Sequence, residues 1–318
     1  MIELRRYTPE DASAWNTFMA LSKNGTFLFD RHYMDYHADR FHDHSLIFSQ
    51  KGHVKALLPA NEDGNRLSSH QGLTYGGLLL DSRTTITEVC EIFQLIAEYM
   101  REKGFSQLLY KPAPTIYQQI PAEEDLYALS QLGHLRLLAR DAASVIDLSN
   151  PLRFTELRRR CVKKALRQEL YVAESEQMAD FWAILENNLQ RQYQAKPVHS
   201  LQEIQLLKSR FPKNIRLYCT YQGKTPVAGV LLYITPQVVR TQYISASTEG
   251  KTMGALDLLF DHLINNNLFQ HRYLDMGTSA LAGSHTLNTS LVFQKEGFGA
   301  RTICFDCYEW TPDKTENL

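Results

Sequence analysis

The chain has 318 residues, 44% of them hydrophobic and 22% charged, and a formal net charge of -1 at neutral pH. Because one domain usually takes roughly 100 to 200 residues, we expect two domains, each able to bury a core. The near-neutral charge excludes a protein that collects nucleic acid through its overall field, and no run of about 18 apolar residues predicts a membrane span.

The amino-terminal residues 1–6 carry charges and no apolar core of signal-peptide length. This pattern predicts a cytoplasmic protein without membrane insertion. The cysteines are scattered and odd in number, so we expect no disulfide framework. Cys304 and Cys307 have the spacing of a zinc pair, but their neighbours indicate a strand, where positions three apart face opposite sides. We therefore expect no bound metal.

The first half of the chain predicts several strands, a helix and a further strand. Apolar and alternating runs indicate strands at residues 46–49, 54–59, 73–80 and 107–111, and a helix at residues 85–103. Another strand is expected at residues 143–148. We place the boundary after it, near Asn150-Pro151, which gives an amino-terminal domain 1–150 and a carboxy-terminal domain 151–318.

The helix predicted over residues 152–170 is strongly basic. Its cations are Arg153, Arg158, Arg159, Arg160, Lys163, Lys164 and Arg167. An apolar stripe places these cations on the opposite face; it consists of Phe154, Leu157, Cys161 and Ala165. A solvated surface explains such a face, and so does the binding of phosphate groups on tRNA, a nucleotide-linked substrate or CoA. The segment from Arg153 to Arg167 therefore makes tRNA a candidate partner.

The second half repeats the order of elements found in the first. Strands are expected at residues 216–221, 227–234, 239–245 and 272–276, with a helix at residues 254–267 before the last strand and Asn267 at its C-cap. The repeat predicts an α/β (α+β) fold of two tandem domains. Each would be a mixed, mostly antiparallel sheet flanked by helices.

A glycine-rich segment precedes the helix expected at residues 254–267. Gly250, Gly254 and Ala255 would leave an open helix start, and Lys251 would place a cation beside it. Bare amides at a helix amino terminus bind phosphate groups well. These four residues are therefore our candidates for holding the anionic part of a cofactor.

Polar residues follow the last of these strands. Asp275 ends the strand, where ligands usually bind in α/β sheets, and Gly277 allows a sharp turn close to a ligand. Lys295 lies in a short helix; the helix dipole alone explains a lysine there, but a fixed cation could also stabilise an oxyanion. His285 lies between these elements and is a candidate general base.

These residues follow a pattern of one protein family. The pattern "(F/Y)-D-x-G-x-S … L-N … (F/Q)-K-x-x-F-G" is matched by Asp275, Gly277, Ser279, Asn288, Lys295 and Gly299. The chain thus resembles the GNAT acyltransferase superfamily and, more closely, its Fem-type branch, which consists of two tandem GNAT domains. In the first half only residues 74–78 resemble the family, so this domain is expected to be a scaffold or to hold the acceptor.

The resemblance implies an N-acyltransferase that moves an acyl group from acyl-CoA to an amine by direct attack. Its acceptor would be a small-molecule, peptide or sugar amine. The CoA-binding loop of the family is only partly matched, because Leu256 replaces a final Gly or Ala. Two alternatives stay open: an aminoacyl-tRNA-dependent transferase that acts on a cell-wall precursor, and a non-catalytic ligand-binding module.

The resemblance also suggests roles for single residues. Asp275 would order the site or take a proton, and Lys295 would orient the acyl group or the acceptor. Contacts with substrates are expected from Gly277, Ser279, Asn288, Gln242, Tyr243, His199 and, in the first domain, Tyr75. Phe293 stands where many GNAT proteins have a tyrosine that acts as general acid. Because Phe293 has no hydroxyl group, this role is not transferred to it.

Overall fold

The computed structural model of the chain describes residues 1–265, 270–281 and 284–312. It divides into two compact units, one formed by Met1–Arg140 with the residues from Phe305 onward and the other by Asp141–Cys304. The domain limits 1–150 and 151–318 stay a prediction, and the expected C-cap Asn267 lies outside the described residues. Within the described ranges, no helix combines the length and the apolar character needed to cross a membrane.

The first unit contains four helices and most of the short strands of the described chain. Its strands are β1 (Glu3–Arg6), β2 (His42–Asp43), β3 (Leu46–Gln50), β4 (His53–Leu58), β5 (Asn61–Asp63), β6 (Arg66–Ser68), β7 (Leu79–Leu80) and β8 (Gln107–Tyr110). Its helices are α1 (Ala12–Leu21), α2 (Arg31–Met34), α3 (Ile86–Lys103) and α4 (Glu124–Gln131). Strand β9 (Gly133–Asp147) begins in this unit and ends in the second.

One sheet of the first unit has the order β1-β3-β4-β7 and is antiparallel throughout. Helix α3 supplies an apolar stripe to the core of this unit, where Val89, Ile92, Phe93, Ile96 and Met100 are fully buried. The helix begins with a capping box between Thr85 and Glu88 and ends at Gly104 in the left-handed conformation. The helix predicted at residues 85–103 is therefore confirmed.

The second unit has longer strands and more helices. In chain order its elements are α5 (Glu156–Arg167), β10 (Tyr171–Ser175), α6 (Met178–Tyr193), α7 (Leu201–Arg210), β11 (Ile215–Gln222), β12 (Thr225–Ile234), β13 (Val238–Ala246), α8 (Thr248–Met253), α9 (Ala255–Asn265), β14 (Tyr273–Thr278) and α10 (Thr289–Gly297). Strand β15 (Arg301–Pro312) begins in this unit and ends in the first.

The sheet of the second unit has the order β10-β11-β12-β13-β14-β9. Only β13 and β14 pair in parallel; the other neighbours are antiparallel. On β11, Cys219 faces the side of Phe181 in α6, whereas the Thr220 hydroxyl donates to the Ala255 carbonyl of α9, at 3.0 Å. Because successive side chains of a strand point to opposite faces, helices cover both faces of this sheet. The predicted fold class is confirmed.

Three predictions for two elements differ from the structure. The strand expected at residues 73–80 is reduced to β7, because Gly76 packs on the Ser69 carbonyl and Gly77 turns with a φ of +91°. Helix α5 begins only at Glu156, after Thr155 in an extended conformation. Leu157 is 41% exposed and so does not join the buried stripe of α5.

Gly254 separates α8 from α9 and is expected to tolerate no side chain. Its φ is +79°, and a Cβ there would lie 2.7 Å from the Cys161 carbonyl oxygen of α5. Gly254→Ala should therefore lower the free energy of unfolding by about 2–4 kcal/mol. Gly223, in the turn between β11 and β12, has a φ of +59° but open space around it. Gly223→Ala should cost only about 1 kcal/mol in urea unfolding; equal losses for the two variants would contradict this packing role.

Candidate active site

The candidate site lies where β13 and β14 separate. Their parallel ladder pairs residues 238–240 with residues 273–275 and ends at Arg240 opposite Asp275. Beyond this point a cavity of about 240 Å³ opens. It is lined by Leu185, Asn188, Leu189, Gln192, Ile244, Ser245, Ala246, Lys251, Leu256, Phe260, Met276, Leu291, Gln294, Lys295 and Phe298. One wall is thus the end of β13, and the facing walls come from β14, α6, α9 and α10.

Asp275 and Arg240 form a buried ion pair at the end of the ladder. The Asp275 side chain is fully buried; its Oδ2 accepts from Arg240 Nη1, and its Oδ1 accepts from the Gly277 amide at 2.7 Å. Gly277 has a φ of +73°, which favours glycine. A buried carboxylate needs such partners, because desolvation without them costs several kcal/mol. Asp275 therefore lies within β14 and not at its end, where the sequence placed it, and it fixes the turn at Gly277, where the register of β14 shifts.

Lys295 binds the same turn from α10. Its Nζ donates to the Gly277 carbonyl at 2.9 Å, the Thr278 carbonyl at 3.0 Å and Ser279 Oγ at 3.0 Å. Only 4% of Lys295 is exposed, and this burial lowers its pKa to about 8, with Arg240 acting in the same direction and Asp275 opposing. Because all three N–H groups are engaged, Lys295 acts on the cavity through its charge unless it releases one of them.

Asn288 completes this network at the start of α10. The side-chain Oδ1 of Asn288 accepts from the Leu291 backbone amide at 3.1 Å, as an N-cap residue does. The backbone amide of Asn288 donates to the Ser279 carbonyl at 2.9 Å. The structure thus brings together Asp275, Gly277, Ser279, Asn288 and Lys295. Among these five, only Lys295 lines the cavity; the others shape its wall.

Three of the four expected cofactor residues serve in packing. A Cβ at Gly250 would lie 2.1 Å from the Val227 carbonyl oxygen, and the Gly250 amide already donates to Ser247 Oγ at 3.0 Å. Gly254 packs on α5, and Ala255 is fully buried at the start of α9. Of the four residues, only Lys251 lines the cavity. The assignment of all four to cofactor binding therefore stays a prediction.

The first turn of α8 already holds a carboxylate. The helix begins at Thr248 after the N-cap Ser247. Glu249 accepts hydrogen bonds from its own amide and from the Ser247 hydroxyl, and these bonds lower its pKa. An anionic ligand at this helix start would therefore compete with Glu249.

Asn188 on α6 holds Lys251 and the end of β13 in place. Its Nδ2 donates to Ser245 Oγ and to the Ala246 carbonyl, both at 2.7 Å, and its Oδ1 accepts from Lys251 Nζ at 2.8 Å. The sequence analysis missed Asn188, together with the lining residues Gln192 and Gln294. The available signal was a polar residue on the side of α6 that faces the sheet, but the sequence analysis gave no bounds for this helix.

A second hollow of about 230 Å³ adjoins the cavity, and Asn188 lines both. It is lined by Ala183, Ile184, Asn187, Asn188, Arg191, Ser247 and Thr248. Arg191 is the cation of this hollow, and the start of α8 forms one side. The two hollows form a path from the end of β13 toward an arginine.

Several other predicted residues lie outside the cavity lining. His285 is exposed, and its Nδ1 lies 2.8 Å from Asp141 Oδ1. His199 is buried, with Nδ1 at 2.6 Å from the Tyr243 hydroxyl. Gln242 lies at a bulge of β13, where its Oε1 is buried without a hydrogen-bond partner in the described chain. Their roles in substrate binding or catalysis stay predictions.

Tyr75 belongs to the core of the first unit. Its hydroxyl donates to Thr26 Oγ1 at 3.2 Å, and its ring lies 4.4 Å from that of Tyr117. The residue is 1% exposed. Contact between Tyr75 and a substrate therefore stays a prediction, while packing accounts for the residue in this structure.

The basic helix α5 uses part of its charge within the fold. Arg158 pairs with Asp257 at 2.9 Å, Arg159 pairs with Glu156 at 2.5 Å, and Lys164 Nζ donates to a backbone carbonyl. Exposed cations remain at Arg153, Arg160, Lys163 and Arg167. The surface available to a polyanion is thus smaller than the sequence suggested.

The burial of Lys295 predicts a pH dependence of stability. Its pKa is about 8 in the folded chain, against 10.5 for an ordinary lysine. At this group the unfolded state therefore binds more protons between these values, so Lys295 contributes a rise of up to about 3 kcal/mol in the free energy of unfolding across this interval, against the opposite contribution of Cys219, whose pKa burial raises to about 11. Lys295→Met should remove this rise in urea unfolding, whereas Lys163→Met, at an exposed position of α5, should retain it. The same rise in Lys295→Met would contradict the assignment.

Comparisons with known proteins agree with this geometry. Residues 155–282 match the family model of the acetyltransferase (GNAT) domain, and the sequence matches no curated protein. Among solved structures, FemX is similar over 97% of both chains, with a TM-score of 0.66 and 10% identity. L-PGS from Bacillus licheniformis is similar over 98% of this chain and 94% of that chain, with a TM-score of 0.62 and 14% identity. Residues 155–282 are therefore similar to a GNAT-type acetyltransferase domain, and the fold of the chain is similar to that of FemX.

Proposed function

We propose that the protein is an N-acyltransferase that moves an acyl group from acyl-CoA to an amine in the cavity of the second unit. The observation that carries the proposal is the cavity at the point where β13 and β14 separate. Most of its lining residues lie within the segment that matches the acetyltransferase domain, the others being in or next to α10, and most of the lining is apolar. An acyl chain can therefore be buried there beside a strand whose free edge offers backbone groups.

The reaction needs correct positioning of the two substrates and stabilisation of the developing negative charge. It needs no covalent intermediate on the protein. The amine nitrogen attacks the thioester carbon, and the carbonyl electron pair moves to oxygen. The intermediate then expels the thiolate, which takes the proton of the new ammonium group. Backbone amides at residues 244–246 would bind the oxyanion, and the buried charge of Lys295 would lower its energy.

The second hollow would take the phosphate-bearing part of CoA. Arg191 supplies a cation there. Glu249 opposes this arrangement, because its carboxylate already accepts hydrogen bonds at the start of α8.

These charges give a direct test by thermal shift with acetyl-CoA, hexanoyl-CoA and free CoA. A ligand at about 100 times its dissociation constant adds roughly 2.7 kcal/mol to stability. Wild type should be stabilised saturably, Arg191→Glu less, and Glu249→Gln more, because Glu249→Gln removes a competing carboxylate. Lys224→Glu, in the turn before β12, is the matched control and should bind like wild type. Absence of any shift with wild type would contradict acyl-CoA as donor.

An aminoacyl-tRNA donor is the second candidate. It is favoured by the carboxylate at the start of α8 and by the exposed cations on α5. For this donor we expect the double variant Arg160→Glu/Lys163→Glu to weaken tRNA binding, measured by filter binding at several salt concentrations, and to reduce the salt dependence. The control Lys213→Glu/Lys224→Glu changes the charge equally at exposed positions away from α5. Equal effects of the two variants would contradict a specific tRNA surface.

A further inference from the structure

The cavity carries positive charge and no compensating carboxylate in its lining. Among the described residues that line it, the charged ones are Lys251 and Lys295. Lys295 is buried and Lys251 is exposed, so one cation lies inside the protein and the other on the solvent side. Both ammonium groups are held by hydrogen bonds and cannot move away freely.

Nearby carboxylates are engaged elsewhere. Asp275 accepts from Arg240, a further cation next to the cavity wall. Glu249 is bound to its own amide and to the Ser247 hydroxyl at the start of α8. A positively charged ligand in the cavity would therefore meet two lysines and no carboxylate in the lining, whereas a carboxylate would be attracted.

The uncharged polar residues of the lining are Asn188, Gln192, Ser245 and Gln294, and the apolar part limits the size of the occupant. This apolar part consists of Leu185, Leu189, Ile244, Ala246, Leu256, Phe260, Met276, Leu291 and Phe298. A volume of about 240 Å³ corresponds to the share of roughly eight water molecules in the liquid. The cavity thus suits a short or medium acyl chain.

From these observations we propose that the cavity selects acyl groups by charge. It takes short or medium acyl groups that are uncharged or end in a carboxylate, and it excludes those that carry an ammonium group, including the free α-amine of an aminoacyl group. Lys251 is the residue that sets this preference, because it is exposed at the cavity and held by Asn188. The inference rests on the proposed function, since it assigns the cavity to the acyl group.

Three amides of similar length test the preference without any reaction. Pentanamide is neutral, glutaric acid monoamide is anionic, and 5-aminopentanamide is cationic at neutral pH. In NMR titrations of the whole chain we expect the cationic amide to bind about tenfold more weakly than the neutral one, and the anionic amide to bind at least as well. Lys251→Glu should reverse the order of the two charged amides. Lys163→Glu, which has the same charge change on α5, should keep the wild-type order.

Several results would overturn the inference. These are equal binding of the cationic and neutral amides, failure of all three to bind, and an equal change in Lys163→Glu and Lys251→Glu. The amides carry no thioester, so their binding is read independently of catalysis. If the order holds but no amine is acylated, the proposed function fails and the charge preference stands. If acyl transfer occurs with cationic and neutral acyl groups at equal rates, the charge preference fails alone.

Discussion

The buried ion pair between Arg240 and Asp275 sets the end of the parallel ladder of β13 and β14, and the cavity begins there. A carboxylate without exposure to water requires a fixed cation and a backbone donor, and Gly277 supplies the latter. Lys295 then binds the turn through three hydrogen bonds from another element. The wall of the cavity is thus held by charge as well as by packing, which keeps its shape defined without a ligand.

The sequence predicted the elements of this site better than their contacts. The spacing of Asp275 and Gly277 predicted a strand end followed by a sharp turn, whereas β14 continues to Thr278 and Gly277 turns within it, with a φ of +73°. The role of Lys295 in the site stays a prediction. Arg240 was not identified, because it lies 35 residues away in sequence from Asp275 and its partner depends on the register of two strands. The only signal in the sequence was a charged residue in the apolar strand β13, and this signal does not indicate which residue Arg240 pairs with.

The glycine-rich segment shows a different limit of sequence reasoning. The same residues suit a phosphate-binding loop and a close contact between elements, because both need the absence of a Cβ. At Gly250 that space is filled by the Val227 carbonyl, and at Gly254 by α5. Which use applies depends on the packing of distant elements, so the spacing could not decide it. Asn188 was missed for the same reason, since its partners Ser245 and Lys251 lie on other elements.

The central claim is that the cavity beside the end of β13 holds the acyl group. A crystal structure of the protein with a thioether analogue of hexanoyl-CoA would test it most directly. Our account predicts the six-carbon chain against Leu256, Met276 and Phe298, with the sulfur toward Lys251. An ordered chain at another place, with this cavity filled by solvent, would contradict the account.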